Sequence, residues 1–360
     1  MKVLRIVSEL DFGGVEQVGL NSLPALQQAV KLKVLVLKNG GRVSDLLIHQ
    51  GVSIKILGKN PRIPNFKLIR LVRKEIREFQ PDVVHSQGAE ANFHGVLAAS
   101  FEHVPRIIAE EIGIPNHHSY WKWVFSWVYG KAHQVIAISE AVKEEIVRLG
   151  EVLPEKVKVI YNPIKSVQGL RLGVQGFTGS DFVFVTTCRL VPIKNLERLI
   201  QAFEELVMEN SGLELFLKIV GDGPERENLE KRIREKRLEN RVEILGFQEN
   251  VWPFLADSDA FILPSLQEGS SVSLAEAMAA GLPSIVTQVG GATEILGNSQ
   301  SGLLIDPLDT NSIQSVMQQI IDLSPEERQA MGERAKKEAQ RFSVDNYIKE
   351  LMNIYHSPIP

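Results

Sequence analysis

Short runs of β-branched and aliphatic residues alternate along the chain with longer stretches whose apolar positions recur every three to four residues. That is the pattern of βαβ units wound into parallel sheets, and it occurs twice. In the first half it predicts strands at Val3–Ser8, Lys33–Leu37, Val52–Ile56, Asp82–His85, Arg106–Ala109, Gln134–Ile138 and Val157–Ile160. A helix is predicted over Phe66–Phe79, where Ile69, Val72, Ile76 and Phe79 recur at helical spacing while Arg70, Arg73, Lys74 and Arg77 occupy other faces. Ser139 is placed to cap another helix. Residues 164–180 are punctuated by glycines, show no clear periodicity and read as a linker. Strands then resume at Phe182–Thr187, Leu215–Val220, Val242–Leu245, Ala260–Leu263, Ser284–Thr287 and Gly302–Ile305. Ser324-Pro325-Glu326-Glu327 is a capping box with proline at the first helical position and opens a C-terminal helix. The expected architecture is α/β, two doubly wound domains whose strand ends face each other and place any ligand in an interdomain cleft.

Composition narrows the class. The 360 residues, 44% hydrophobic and 23% charged, suit a soluble globular chain of two domains and exclude disorder or a fibrous build. The one cysteine, Cys188, can form neither an internal disulfide nor a thiolate metal cage, so a reducing cytoplasm is expected. No apolar run approaches the roughly 18 residues of a spanning helix, and the opening segment gains charge too early for a secretory signal. The net charge of −4 conceals an asymmetry: residues 1–165 hold 22 basic and 16 acidic side chains, net +6, and the remainder is net −10. An anionic partner for the first half, a membrane surface or a phosphorylated substrate, is one reading. Solvated helix faces are the other.

The most informative segment runs from Leu263 to Met278. It leaves a buried strand, turns through Gly269 and enters a helix whose first backbone N–H groups, near Ser270 and Ser271, would bind an anion. Glu268 lies in the turn and Glu276 in the helix, so one carboxylate can face the anion's far group while the other reaches hydroxyls further along the ligand. A sugar nucleotide has that layout; a capped surface helix with two solvated glutamates is the plain alternative. Arg189 and Lys194 sit between a strand end and the next helix, where both could neutralise a diphosphate or simply decorate a loop. Gly221-Asp222-Gly223-Pro224 permits a sharp turn close to a ligand. Gly13 and Gly14 follow the first strand and could admit a phosphate, but the third glycine of a dinucleotide fingerprint is missing, against a nicotinamide enzyme. The histidines are dispersed without an H-x-H or HExxH arrangement, so no metal site is expected. A G-x-S-x-G elbow for hydrolysis is also missing. His85 ends a strand, where it either reaches the cleft or is a satisfied structural histidine. Tyr120–Tyr129 concentrates three of the four tryptophans, packed in the core and a domain interface or touching lipid.

In this order the residues resemble the retaining glycosyltransferases of family 4, which have the GT-B fold of two facing Rossmann-like domains. Glu268 to Glu276 matches the family's E-x7-E element within P-S-x-x-E-G-x(6)-E-A-M-A-x-G-x-P, from Pro264 to Pro283. The match continues through Thr287, Gly290-Gly291, Glu294, Gly302-Leu303 and Asp306-Pro307-Leu308-Asp309. The resemblance implies domains at 1–165 (acceptor side) and 166–343 (donor side), with 344–360 packing back on the first. It implies Arg189 and Lys194 on the donor diphosphate, Glu276 on the ribose and Glu268 on the transferred sugar. Gly13-Gly14 would close over the phosphates, and Leu245 would lie beside the base. The family often has a histidine after the strand equivalent to Arg106–Ala109; here Glu110-Glu111 stand instead, so Glu111 or Glu110 would take that place, or His85 or His117 would enter from elsewhere, as the first-domain sugar contact. Ser270 replaces the apolar residue that commonly follows E-G. The expected activity is metal-independent hexosyl transfer with retention, from a UDP-sugar by preference or a GDP-sugar, to a saccharide or lipid-linked saccharide acceptor. Bacterial cell-surface polysaccharide or lipopolysaccharide synthesis is the implied setting, at the inner face of the cell membrane. No cofactor and no nucleic acid are expected. A nucleotide-sugar epimerase and a non-catalytic nucleotide-sugar-binding protein are the alternatives.

Overall fold

The computed structural model describes residues 1–11, 14–115, 120–165, 181–297 and 300–358. The linker assigned to 164–180 therefore lies, beyond residue 165, outside the described residues, as do Gly13 and His117. The chain divides into two compact units, one of Met1–Lys165 with Phe342–Pro360 and the other of Ser166–Arg341.

The first unit runs β1 (Lys2–Val7), α1 (Gly14–Ala29), β2 (Lys31–Val36), α2 (Arg42–His49), β3 (Ile54–Ile56), α3 (Phe66–Phe79), β4 (Val83–Gln87), α4 (Ala89–Phe101), β5 (Arg106–Glu111), α5 (Trp121–Gly130), β6 (Gln134–Ala137), α6 (Glu140–Arg148) and β7 (Val157–Val159). Among the described residues these strands form one parallel sheet of order β3-β2-β1-β4-β5-β6-β7. The second unit runs β8 (Asp181–Thr187), α7 (Leu196–Glu209), β9 (Glu214–Val220), α8 (Arg226–Glu235), β10 (Val242–Gly246), α9 (Trp252–Ala256), β11 (Ala260–Leu263), α10 (Val272–Ala280), β12 (Ser284–Thr287), α11 (Ala292–Leu296), β13 (Gly302–Ile305), α12 (Thr310–Asp322) and α13 (Pro325–Ala339). Its parallel sheet has the order β10-β9-β8-β11-β12-β13. A last helix, α14 (Val344–His356), belongs to the first unit.

Local chemistry sets several of these boundaries. Asn65 and Ser139 cap α3 and α6 through side-chain oxygens that accept from Leu68 and Val142 N–H, and the Ser324/Glu327 box opens α13. The sheet of the first unit is buried on both faces. Leu68, Val72, Val96 and Val128 of α3–α5 cover one side; Leu26, Leu47 and Leu351 of α1, α2 and α14 cover the other.

Strands β4 and β5 run past the sequence-based limits at His85 and Ala109 because their polar ends are buried and paired. Arg5 donates to Gln87 Oε1 at 3.0 Å and to Glu110 Oε2 at 3.3 Å, and its NH1 lies 2.6 Å from His85 Nδ1. His85 Nε2 stands 2.9 Å from Glu110 Oε2, and the Tyr355 hydroxyl of α14 lies 2.8 Å from His85 Nδ1. Arg106 donates to Ile354 O at 3.0 Å, a second tie to α14. Where the chain leaves and re-enters this unit, Ile164 N–H donates to Phe342 O at 2.9 Å.

Burial, then the neighbouring Arg5 charge, pushes His85 down to about 4, so the ring is neutral and Nε2–H donates to Glu110. Burial works against the Glu110 carboxylate, but Arg5 and His85 hold it below the ordinary range. Both shifts give one sign. Between the ordinary histidine value near 6.5 and about 4, the unfolded chain binds the extra proton first, so stability falls on acidification. Glu110 adds stability that is present above the ordinary carboxylate value and lost as pH falls through its lower folded one. The melting temperature is expected to drop more steeply between pH 6.5 and 4 in the natural protein than in His85→Gln; equal slopes in the two would contradict the neutral, buried assignment.

Candidate active site

Both sheets reverse strand order at one place, between β1 and β4 in the first unit and between β8 and β11 in the second. Crevices at such reversals, outside the carboxyl ends of the strands, are where open α/β sheets bind ligands. In the second unit the loop after β8 carries Arg189 and Lys194, and the turn after β11 carries Glu268–Ser271.

These two loops are locked together. Lys194 Nζ pairs with Glu268 Oε2 at 2.7 Å, both side chains mostly buried, and Leu266 N–H donates to Ile193 O at 2.8 Å. Asn195, in the left-handed region at φ +59°, donates through Nδ2 to Pro264 O at 3.1 Å and to Pro307 O at 2.7 Å. A third loop joins at Gly290-Gly291: Gly291 N–H donates to Glu268 O at 2.9 Å, and a Cβ on Gly290 would sit 1.9 Å from that same oxygen. Arg189 is exposed and has no side-chain partner among the described residues.

Ser271 is the N-cap of α10, its hydroxyl accepting from Leu274 N–H at 3.1 Å. The first turn of α10 thus aims free N–H groups and the positive end of the helix dipole at the crevice, with Gly269 and Ser270 half-buried beside it. Glu276, one turn further, is 7% exposed and has no hydrogen-bond partner among the described residues; burial alone raises it to about 7. Thr187, Ser265 and Thr287, at or just beyond the ends of the adjacent strands β8, β11 and β12, have buried hydroxyls without a protein partner. Orphan hydroxyls gathered along one sheet edge mark a place built to meet a polar ligand.

Gly221 and Gly223 pack directly on the Arg189 loop. A Cβ would fall 1.8 Å from Cys188 O at the first and 2.4 Å from Leu190 O at the second, and Gly221 N–H donates to Gly246 O at 2.9 Å, next to the half-buried Leu245. The second unit therefore brings Arg189, Lys194, Gly221, Leu245, Glu268–Ser271 and Glu276 to one sheet edge.

The first unit holds Gly14 exposed at the start of α1. His85 and Glu111 do not fit the expectation of a donor-sugar contact. His85 is fully buried in the Arg5–Glu110 network, and Glu111, 4% exposed, accepts from Tyr129 OH and from Asn92 Nδ2 at 3.1 Å. Their polar atoms are spent on protein partners. Sequence reasoning missed the roles of Asn195 and Gly290. An asparagine directly after the basic loop, a residue type enriched at positive φ, was the available signal for the first.

A family model for glycosyl transferases group 1 matches residues 173–338, and a second, for glycosyltransferase family 4, matches residues 12–166. The chain is a family 4 glycosyltransferase with the GT-B fold. The glycosyltransferase is similar to the Escherichia coli UDP-Gal:alpha-D-GlcNAc-diphosphoundecaprenol alpha-1,3-galactosyltransferase, 25% identical over 86% of this chain and 85% of that one. It is also 25% identical, over 93% of its length and 94% of the relative's, to a Campylobacter jejuni N-acetylgalactosaminyltransferase acting on N-acetylgalactosamine-N,N'-diacetylbacillosaminyl-diphospho-undecaprenol. Among solved structures, HepE of Anabaena in complex with UDP superposes with a TM-score of 0.82 at 22% identity, covering 98% of this chain and 99% of that one. These findings do not favour the epimerase or the non-catalytic reading.

The Gly290 contact gives a direct test of how the site is held. Gly290→Ala is expected to displace the Glu268 backbone, costing about 1–3 kcal/mol of stability and at least tenfold in turnover. Gly14→Ala, with nothing within 4 Å of the new methyl group, should stay within about 0.5 kcal/mol of the natural protein in the same melts. An unaltered melting curve for Gly290→Ala would refute the interlock.

Proposed function

We propose that this glycosyltransferase moves a hexose-type sugar, with retention, from a nucleotide diphosphate sugar to a hydroxyl of a saccharide or lipid-linked saccharide in bacterial surface-polysaccharide or glycolipid synthesis. UDP-sugars are the favoured donors, in keeping with HepE in complex with UDP-glucose. The acceptor class follows the Escherichia coli and Campylobacter jejuni relatives, whose names specify diphospho-undecaprenol-linked acceptors. Among the described residues no helix is long and apolar enough to cross a membrane. An anionic membrane surface, met by the basic first unit, fits such a substrate.

The observation that carries the reading is the unpartnered Arg189 beside the Lys194–Glu268 pair, at the head of α10 and along an edge of orphan hydroxyls. In this reading Arg189, Lys194 and the α10 N-terminus hold the diphosphate and stabilise the charge that grows on it as the glycosidic bond breaks. These fixed charges and dipoles supply that stabilisation without a metal. Lys194 is held by Glu268 before donor arrives, so it meets the phosphate without reorganising. Glu268 orients the transferred sugar rather than serving as one half of a two-carboxylate hydrolase pair. Glu276 accepts from the ribose hydroxyls, and Gly221 and Leu245 line the nucleotide. Attack from the leaving-group face, with a donor phosphate oxygen taking the acceptor proton, yields retention.

Arg189→Ala and Lys194→Ala should each lower turnover by roughly 100–1,000-fold. The assay is nucleoside diphosphate release across UDP-, GDP- and ADP-sugars, with and without chelator; unchanged turnover in both variants would sink the assignment, and loss of release on chelation would remove metal independence.

Glu276 gives a signature in pH. Its folded value of about 7 exceeds the ordinary 4.5, so the folded state pays to ionise it, and the cost accumulates from pH 4.5 to 7 and is complete above. Glu276→Gln should therefore melt higher than the natural protein at pH 8 and match it near pH 4.5. The same variant should bind donor at least tenfold more weakly at pH 8, because the charged acceptor is gone. A variant that keeps full donor affinity would exclude the ribose role.

A further inference from the structure

A groove of 660 Å³ runs over the helical layer of the first unit, between α3 and α5 and above α4. Its floor is buried and apolar, made of Ile69, Phe93 and Leu97, with Val124 half-buried on one wall. Its rim carries rings that face water: Phe66 is 75% and Trp123 70% exposed, and Phe101 and Trp127 are more than half exposed. Four aromatic side chains gathered around one trough make an apolar patch of the kind that marks a binding surface.

The rim is also cationic. Lys122 Nζ lies 5.4 Å from the Trp123 ring centroid, and Lys131 Nζ lies 5.1 Å from that of Trp127. Arg70, on the opposite wall, is exposed and without a side-chain partner among the described residues. Arg73 stacks on Phe101 but is already paired with Glu102 at 2.6 Å. An apolar trough edged by unmatched cations is complementary to an amphiphile with one chain and an anionic head.

We propose that this groove binds the isoprenoid chain of a lipid phosphate, with the phosphate met by Arg70 and Lys122. The volume lies within the roughly 300–1,000 Å³ of sites that enclose a small ligand, and the buried floor gives it depth, whereas a surface that only rests on a bilayer needs no trough. A second copy of this chain seated on the same face would set cationic rims against each other, an arrangement that opposes association. Phe66 and Trp123 stand in the first turns of α3 and α5, at the carboxyl edge of the sheet, so a chain lying in the groove delivers its head to the edge where open α/β sheets bind ligands. Reading the chain as isoprenoid, and the lipid as the anchor of the acceptor, rests on the transferase reading and its diphospho-undecaprenol relatives; the trough and its cations do not.

Farnesyl phosphate, titrated calorimetrically into the full-length protein below its micellar concentration, tests the proposal. Saturable binding is expected, with inorganic phosphate alone giving none. Val124→Trp, which fills the trough, and the double variant Arg70→Glu/Lys122→Glu, at an exposed and a half-buried rim position, should each weaken it at least tenfold; the charge variant keeps the test sound if the larger side chain disturbs folding. The proposal is overturned by no saturable binding, or by affinities within twofold of the natural protein in both variants. It is equally overturned if the protein floats with phosphatidylglycerol vesicles but ignores farnesyl phosphate, or if it dimerises through Trp123 and Trp127 without a lipid response. A thermal shift with UDP-glucose reads the donor site separately. Farnesyl phosphate binding without a response to any nucleotide sugar would uphold the lipid site and fail the transferase reading.

Discussion

The second unit's crevice depends on one side-chain amide. Asn195 turns the chain through the left-handed region and gives both its Nδ2 protons to carbonyls on different loops, Pro264 and Pro307. Loop carbonyls at a sheet edge are obligatory acceptors that must find a donor, and here one planar group meets two of them, with Arg198 adding a second donor to Pro307 O at 2.6 Å. With those loops set, Leu266 pairs with Ile193, Lys194 reaches Glu268, and Gly290 can approach the Glu268 carbonyl as no other residue could. The basic loop, the acidic turn and the helix N-terminus are therefore one rigid construction. The orphan hydroxyls of Thr187, Ser265 and Thr287 stand along its edge.

Much of this was legible in the chain because local rules and tertiary demands agree. The strands of both sheets were found by their β-branched runs, α3 by its period and the starts of α6 and α13 by their caps. The errors at β4 and β5 have a common cause. A run reading Ser-Gln or Glu-Glu looks like a loop when each residue is weighed alone, and it extends a buried strand where Arg5, eighty or more positions away, meets Gln87 and Glu110 while Asn92 and Tyr129 meet Glu111. The Lys194–Glu268 contact spans seventy-four residues in the same way. Pairing at such separations carries no periodicity, so residues that meet at this sheet edge could be singled out from sequence while the bonds that hold them could not.

The aromatic segment divides more evenly than either sequence reading allowed. Phe125, Val128 and Tyr129 of α5 are in the core, while Trp123 and Trp127 on the same helix face water. The arginines and lysine of α3, expected on faces other than the apolar one, do lie outside the core, yet Arg70 and Arg73 line an apolar trough instead of open water. Amphipathic period separates inside from outside; it does not distinguish open solvent from a groove floored by a neighbouring helix.

The first unit is discontinuous, and this bears on how the chain is made. Its sheet and most of its helices are complete at Lys165, but α14, which supplies Tyr355 to His85 and accepts from Arg106, follows the whole second unit. At a synthesis rate of about 5–20 residues per second the emerging first unit waits on the order of ten to forty seconds for that helix. Throughout the interval the face built by Val34, Val36 and Ile108 lacks part of its cover. A ribosome-bound intermediate with part of that apolar face uncovered is thus written into the connectivity, and it persists until α14 has been made.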